Sequence, residues 1–303
     1  MNRPRLKFAT YFIILISLVG ILTVCRPGEV SLAGNRPSIK FGIVTDIHYA
    51  DTETREARPY RESLAKLAEC VEVMNRRRVD FLVELGDFKD QDETPVETKT
   101  LTYLKRIENV FAQFSGRRYH VLGNHDIDSV SKSQFLAAAG NSGTARAKGY
   151  YAFVLKDFRF IVLDACFRSD GAPYDRGNFD WGDANVPPSE LKWLASELAA
   201  SPKPAVVFIH QQLDGQGDYY VKNAAAVREV LEKAGNVLAV FQGHRHEGAY
   251  SRMSGIHYYT LVGMIEGSGA ANNSYAIVDV YSGGGLEVKG YRRASSKGLS
   301  RNP

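Results

Sequence analysis

Five of the seven histidines in this chain come directly after an apolar run, at the point where a β-strand would end. Each has acidic, amide or glycine residues close beside it. The segment VLAVFQGHRHE ends in His244 and His246, and the segment TDIH places Asp46 two residues before His48. Comparable positions are occupied by Asp87, Asp90, Asn124, His125 and His210.

Imidazole, carboxylate and amide groups together form a ligand set that suits zinc, manganese, iron or nickel better than copper(I) or an iron–sulfur cluster. Seven such groups are too many for one tetrahedral ion, and they fit two ions that share a carboxylate. A lone histidine at a strand end is more often a hydrogen-bonded structural residue, but here separate segments repeat the arrangement. His120 and His257 lie inside strand patterns, and we predict that they are structural.

Strand-like and helix-like segments alternate along the chain, which predicts an α/β fold. The segment YRESLAKLAECVEVMNRR carries Leu67, Val71 and Met74 at helical spacing, and YYAFVLKDFRFIVLDA is typical of a hairpin. In α/β sheets, ligands bind beyond the carboxyl ends of the strands. We therefore expect the acidic, amide and histidine side chains to meet at that edge of the sheet.

Taken together, these segments resemble the five sequence blocks of the calcineurin-like metallophosphoesterases, in the same order, from about residue 38 to 290. The blocks are Asp46-x-His48, Gly86-Asp87-x-x-Asp90, Gly123-Asn124-His125-Asp126, His210 and Gly243-His244-x-His246. The resemblance implies a two-sheet β-sandwich flanked by helices, in four αββα layers, as one domain over residues 38–293.

The resemblance also implies a site with two divalent metal ions, which could be Mn, Fe, Zn or Ni. One ion would be held by Asp46, His48, Asp87 and His246. The other would be held by Asp87, Asn124, His210 and His244, so that Asp87 bridges the pair. A hydroxide between the metals would attack phosphorus, and His125, oriented by Asp90, would act as general acid.

By the same resemblance, the protein is expected to be a metal-dependent hydrolase of small-molecule phosphoric esters. The segments TDIHYAD, YRESLAKL and ELGDFKD are similar to the manganese-dependent ADP-ribose/CDP-alcohol diphosphatase branch, which carries Gln at the position of His48. We expect a phosphodiesterase or a nucleotide-diphosphate-type diphosphatase. The alternatives are a phosphomonoesterase acting through the same site and a non-catalytic scaffold that keeps the fold.

Substrate contacts are expected from long loops rich in glycine, proline and polar residues, such as residues 171–188 and 214–222. Aromatic residues there, Trp181 among them, could stack on a nucleobase, and arginines could bind a second phosphate. The alternative is that these aromatic residues only pack the loops in place. The candidate substrate-binding residues are Arg168, Tyr174, Arg176, Tyr219 and Arg245.

The N-terminal segment is typical of a targeting signal. A basic start is followed by residues 8–25, which carry no charge, and by the small residues of Ser31–Ala33. Residues 1–33 are therefore predicted to be a cleaved signal peptide or an uncut membrane anchor, and the domain is expected to be exported. A membrane contact is expected only through this segment.

Charge and cysteine content narrow the function further. The formal net charge is +4, and residues 1–33 hold four basic residues against one acidic residue. The remainder is close to neutral, which argues against a nucleic-acid footprint. The three cysteines form no paired zinc motif, and the sequence leaves open whether Cys70 and Cys166 form a disulfide.

Residues 294–303 are predicted to be a flexible tail. The sequence leaves the oligomeric state open.

Overall fold

Two six-stranded β-sheets lie at the centre of this computed structural model, which describes Met1 and residues 36–143, 148–178 and 180–301. The strands are β1 (Ile39–Val44), β2 (Phe81–Glu84), β3 (Arg117–His120), β4 (Tyr151–Leu155), β5 (Phe158–Val162), β6 (Ala205–Phe208), β7 (Val237–Gln242), β8 (Ala249–Met253), β9 (Ile256–Thr260), β10 (Ser274–Val280), β11 (Leu286–Arg292) and β12 (Lys297–Leu299). The helices are α1 (Ser63–Arg77), α2 (Glu97–Phe111), α3 (Lys132–Ala138), α4 (Pro188–Ala199) and α5 (Ala224–Ala234).

The first sheet has the strand order β12-β11-β10-β1-β2-β3, and the second has the order β4-β5-β6-β7-β9-β8. Within the first sheet, β1, β2 and β3 run parallel to one another, while β10 is antiparallel to β1. Within the second sheet, β5, β6, β7 and β9 are parallel neighbours. Both sheets are therefore mixed, and each sends the carboxyl ends of its parallel strands to one edge.

The sandwich core between the sheets is apolar and rich in phenylalanine. Phe41 on β1 stacks on Phe81 of β2 with 4.9 Å between ring centroids. The edge of the Phe41 ring meets Phe208 and Phe241 of the second sheet at 5.6 and 5.7 Å. Because side chains alternate across a strand, Phe41 and its β1 neighbours Ile39 and Ile43 share this inner face.

Helices cover the outer face of each sheet. The apolar sides of α1, α2 and α3, including Met74, Ile107 and Phe135, pack against the first sheet. The apolar sides of α4 and α5, including Leu194 and Leu231, pack against the second. The predicted four-layer αββα sandwich is confirmed.

The structure overturns one prediction on the periphery and answers one question that the sequence left open. The predicted flexible tail is wrong for the described residues, because Lys297–Leu299 pairs with β11 and Leu299 is fully buried. Cys70 and Cys166 are free, buried thiols, so no disulfide joins them. The predicted targeting segment, residues 1–33, lies outside the described residues except for Met1. Among the described residues, no helix is long and apolar enough to span a membrane.

Candidate metal centre

The predicted metal ligands follow five parallel strands drawn from both sheets. Asp46 and His48 come after β1, Asp87 after β2 and Asn124 after β3 in the first sheet. The other three, His210, His244 and His246, come after β6 and β7 in the second sheet. The ligands therefore meet across two sheet edges, not at the edge of a single sheet as the strand pattern alone suggested.

Two groups of ligating atoms lie close together at this place. In one group the atoms of Asp46, His48 and His246 all lie within 4.8 Å of one another, and in the other those of Asp87, His210 and His244 do. His246 Nε2 is 3.2 Å from Asp46 Oδ1, and His210 Nε2 is 3.2 Å from Asp87 Oδ2. Each trio is part of one of the two four-residue sets that the resemblance implied, and a third such group joins His48 to Asp90 and His125.

The carboxylate of Asp87 lies between the two groups. Its Oδ2 is 3.5 Å from His48 Nε2 and 3.2 Å from His210 Nε2. Asp46, by contrast, lies closest to His246 and is 3.9 and 4.0 Å from His48 and His210. This position supports the bridging role predicted for Asp87.

Several buried ligand atoms have no hydrogen-bond partner among the described residues. They are Nε2 of His48, His210 and His244, and Oδ1 of Asn124. Burying a polar atom without a partner is costly, and such atoms are rare in folded proteins. Because these lone pairs surround two carboxylates, divalent cations would satisfy them, and the residues present fit a dimetal centre.

The opposite ring nitrogens of three ligands are already bonded. His48 Nδ1 lies 3.0 Å from Asp90 Oδ2, and His210 Nδ1 lies 2.8 Å from the carbonyl oxygen of Leu85. His246 Nδ1 lies 2.6 Å from Glu266 Oε1. Acceptors at Nδ1 fix the ring orientation and leave Nε2 as the metal-binding atom.

The electrostatics of the cluster favour positive charge. Burial alone would lower the pKa of His210, but the carboxylates of Asp87 and Asp46 outweigh it and raise that pKa to about 10. Asp46 in the same way raises the pKa of His246 to about 9 against the effect of burial. His244 differs, because burial and the neighbouring His210 lower its pKa to about 3.

The backbone is also unusual where the ligands sit. Asp46, His48, Asp87 and His244 all have positive φ, between 47° and 68°. This left-handed conformation is uncommon for residues with a Cβ, and it clusters at functional sites. Gly123 lets the chain pass close to Asp87, because a Cβ there would collide with the backbone nitrogen and carboxylate of Asp87.

His125, the predicted general acid, stands beside the ligands with its ring centroid 4.8 Å from that of His48. Its Nδ1 is 3.8 Å from Asp90 and 3.7 Å from Asp128. Asp90 is closer to His48, at 3.0 Å, so its main contact is with a metal ligand and not with His125 as expected. Asp128, itself paired with the buried Lys89, faces His125 from the other side.

Five of the ligands, His48, Asp87, Asn124, His244 and His246, line a cavity of about 300 Å³. Asp46 and His210 are fully buried beside them. We call the seven residues Asp46, His48, Asp87, Asn124, His210, His244 and His246 the floor. Arg58, Trp181 and Tyr219 stand above it in the cavity wall, and we call these three residues the rim. Arg58 and Tyr219 also line an adjoining cavity of about 340 Å³.

A family model described as calcineurin-like phosphoesterase matches residues 39–248. The chain belongs to this family. The matched range contains all five ligand-bearing strand ends, so the family assignment and the site geometry concern the same part of the molecule. Calcineurin-like phosphoesterases hydrolyse phosphoric esters, and this chain is such an enzyme.

Named relatives of this phosphoesterase share about a quarter of its residues. The manganese-dependent ADP-ribose/CDP-alcohol diphosphatase of Oryza sativa subsp. japonica is 24% identical, over 84% of this chain and 92% of its own length. The protein of the same name from Xenopus tropicalis is 27% identical, over 76% of this chain and 85% of its own length.

Solved structures show the same fold. The crystal structure of a dimetal phosphatase from Danio rerio superposes with a TM-score of 0.76 at 23% identity, covering 88% of this chain and all of that one. A purple acid phosphatase from yellow lupin superposes with a TM-score of 0.59 at 12% identity, covering 88% of this chain and 53% of that one.

The structure separates the predicted substrate contacts of this phosphoesterase. Tyr219 lines the cavity, but Tyr174 is fully buried and its hydroxyl donates to the carbonyl of Asp180, so Tyr174 packs its loop. Three arginines are not among the residues that line the two cavities. They pair with acidic neighbours instead: Arg168 with Asp170, Arg176 with Glu97 and Arg245 with Glu247.

Two residues that line the cavity or support a ligand, Arg58 and Glu266, were not predicted from the sequence. Arg58 precedes α1 in a loop without a recognisable pattern, and Glu266 follows β9. His120 was assigned correctly as structural, although it has acidic neighbours in space: Glu84 at 3.3 Å and Glu108 at 3.1 Å. Only the tertiary structure brings these partners together, because each lies more than ten residues away in sequence.

Proposed function

We propose that this phosphoesterase uses two divalent cations to hydrolyse small-molecule diphosphate diesters, in which a diphosphate joins two organic groups. The relatives named above support the substrate class, because ADP-ribose and CDP-alcohols are both diphosphate diesters. The observation that carries the proposal is the set of unpartnered, buried Nε2 and Oδ1 atoms around the carboxylates of Asp46 and Asp87.

Each floor residue has a defined task in this proposal. Asp46, His48 and His246 would hold one ion, Asn124, His210 and His244 would hold the other, and Asp87 would serve both. Bound there, two cations would neutralise charge on the phosphoryl oxygens and lower the pKa of the attacking water.

His125 performs the proton transfer to the leaving group. It lies at the cavity wall, a quarter exposed, where substrate can reach it. The neighbouring carboxylates of Asp90, Asp87 and Asp128 outweigh the effect of burial and raise the pKa of His125 to about 9. These carboxylates favour the protonated ring, which is the form that can donate a proton to the departing oxygen.

The test combines metal analysis with a substrate panel on one preparation. ADP-ribose, CDP-choline, bis-p-nitrophenyl phosphate and p-nitrophenyl phosphate would be supplied with protein of measured metal content. We expect about two ions per chain, loss of turnover on chelation, and the highest kcat/KM on the two diphosphates. Preference for the monoester would favour a phosphatase, and bound metal without any turnover would favour a scaffold.

We also propose that the chain is exported. The support is the basic start, the uncharged residues 8–25 and the small residues of Ser31–Ala33. The N-terminal residue of the protein recovered from fractionated cells tests this directly. A mature N-terminus just after residue 33 is expected for a cleaved signal, and an intact N-terminus in the membrane fraction for an anchor. Intact protein in the cytoplasm would contradict export.

A further inference from the structure

The two groups of ligands face different parts of the cavity wall. His125 stands beside the first group, 4.8 Å from His48 between ring centroids. Arg58 stands on the same side, since its Nε donates to Glu266 Oε1 at 3.1 Å and Glu266 contacts His246 at 2.6 Å. The general acid and a cation thus share the side of the cavity next to His48 and His246.

The second group faces aromatic rings. Tyr219 lies 5.7 Å and Trp181 lies 6.1 Å from His244 between ring centroids, and the two rings are 5.6 Å apart. Trp181 is 46% exposed and Tyr219 is 40% exposed. They are the two most exposed aromatic side chains in the described part of the chain, and exposed aromatic faces beside a polar site are suited to stacking.

The position of His125 determines the orientation in which a substrate must bind in the cavity. The leaving group must come within hydrogen-bond reach of the general acid, so it must lie on the side of His48 and His246. Arg58 lines the cavity on that side, and guanidinium groups bind phosphate well. A leaving group that carries a phosphate fits there, whereas a planar ring fits against Trp181 and Tyr219.

We propose that a diphosphate diester binds in one orientation, with its departing phosphate held by Arg58 and the planar ring of its other half stacked on Trp181 and Tyr219. This inference rests on the proposed function and assigns the phosphorus that is attacked. Arg58 and the two aromatic residues then determine specificity, while the floor performs the chemistry.

The bond changes follow from this orientation. The oxygen of water forms a bond to the phosphorus nearer the planar ring. The bond from that phosphorus to the bridging oxygen breaks, and its electron pair stays on the departing phosphate. His125 gives a proton to the bridging oxygen, and the attacking water releases one to solvent. The products are two phosphate monoesters, and the ring-bearing product keeps the oxygen from water.

Hydrolysis of ADP-ribose in ¹⁸O-labelled water tests the orientation. Mass spectrometry of the products should find the label in AMP, which carries the planar ring, and not in ribose 5-phosphate. Label in ribose 5-phosphate, or in both products equally, would overturn the assigned orientation while leaving the diphosphatase function intact. No hydrolysis of ADP-ribose, alongside turnover of bis-p-nitrophenyl phosphate, would overturn the proposed substrate class and this inference with it.

Substitution of Arg58 tests its contact with the leaving phosphate. Two substrates would be compared: ADP-ribose and the p-nitrophenyl ester of thymidine 5′-phosphate, whose leaving group carries no phosphate. Arg58→Gln should lower kcat/KM by about 10–100-fold more for ADP-ribose than for the p-nitrophenyl ester, and Arg58→Lys should recover part of the loss. An equal loss on both substrates would mean that Arg58 acts only by supporting Glu266, and would overturn its assigned role.

Arg61→Gln is the matched control for this series. Arg61 lies three residues from Arg58 and is half exposed. It pairs with Asp51 and Glu53 and is not among the residues lining either cavity. The control should therefore match the wild type on both substrates. Metal content measured on every variant separates loss of substrate binding from loss of the metal centre.

Discussion

The floor and the rim of the cavity are built in different ways. Each floor side chain is at most 12% exposed, and three of the four floor histidines are held by an acceptor at Nδ1. The rim side chains are between 33% and 46% exposed. A buried ring whose Nδ1 is hydrogen-bonded is fixed before any ligand arrives, whereas a half-exposed side chain can adjust. The floor is therefore suited to chemistry and the rim to substrate choice.

Asp87→Asn should have the largest effect, because Asp87 contacts ligands of both groups. An amide keeps the size but loses the negative charge that two cations share. We expect loss of at least one metal ion per chain and a fall in kcat/KM of about 10³-fold or more. Metal analysis and kinetics on one sample measure both effects.

The control for Asp87 is Asp92→Asn. Asp92 is on the same segment, but it contacts Tyr103 and Lys99 outside the cavity. It should leave metal content and turnover close to the wild type. If Asp87→Asn kept two ions and full activity, the bridging position would have no functional meaning.

His125→Ala should separate chemistry from metal binding. We expect both ions to remain and the rate to fall by about 10²–10⁴-fold. The loss should be smallest for p-nitrophenyl esters, because a good leaving group needs little protonation. A variant that lost its metal together with its activity would place His125 among the ligands instead.

Glu266 links the floor to the rim, since it contacts both His246 and Arg58. Removing an acceptor behind a metal-ligating histidine typically lowers metal affinity by about 10–100-fold. Glu266→Ala should therefore need more metal for half-maximal activity, and saturating metal should restore much of the rate. If saturating metal did not restore the rate, Glu266 would act through its contact with Arg58 and not through its contact with His246.

The floor residues could be predicted from the sequence because each one follows an apolar strand-like segment after a short turn. Asp87 and His244 could be placed because the strand before each of them determines where its turn lies. The rim has no such constraint. Arg58 comes from a loop without periodicity, and nothing local distinguishes Tyr219, which lines the cavity, from Tyr174, which is buried.

A similar limit applies to the secondary structure. The helix α1 has a long apolar stripe and was predicted, whereas the seven-residue α3 was not. The tail was predicted to be flexible because the last residues of a domain are often poorly ordered. It forms β12 because Leu299 finds a place in the core between the sheets. Pairing with a distant strand is a tertiary effect that local composition does not show.

His120 is a buried residue outside the metal-ligand set, and the pH dependence of folding stability tests its charge. Burial alone would lower the pKa of His120, but Glu108 and Glu84 outweigh it and raise the pKa to about 9. A raised folded-state pKa contributes stability below the unfolded value of about 6.5. That stability is lost as pH rises through about 9.

Urea unfolding at pH 6 and pH 9.5 measures this contribution. The free-energy advantage of the wild type over His120→Gln should shrink by about 1–3 kcal/mol between the two values. His257→Gln is the control, because the ring of His257 hydrogen-bonds the neutral groups of Tyr250 and Ser300. Burial, with Arg252 and Lys297 nearby, lowers the pKa of His257, so its advantage should not shrink as pH rises. An advantage of His120 that did not change with pH would mean that the ring is neutral in the folded protein.

Arg245→Gln should have the smallest effect. Arg245 lies between the floor residues His244 and His246 in sequence, yet its side chain is 41% exposed and pairs with Glu247 at 3.6 Å. Exposed ion pairs contribute about 0–1 kcal/mol to stability, and the guanidinium is not among the groups that line the cavities. We expect kcat/KM for ADP-ribose to change by less than about twofold. A loss as large as that of Arg58→Gln would place Arg245 in the rim, and substrate choice would then depend partly on a residue carried by the same turn as the floor.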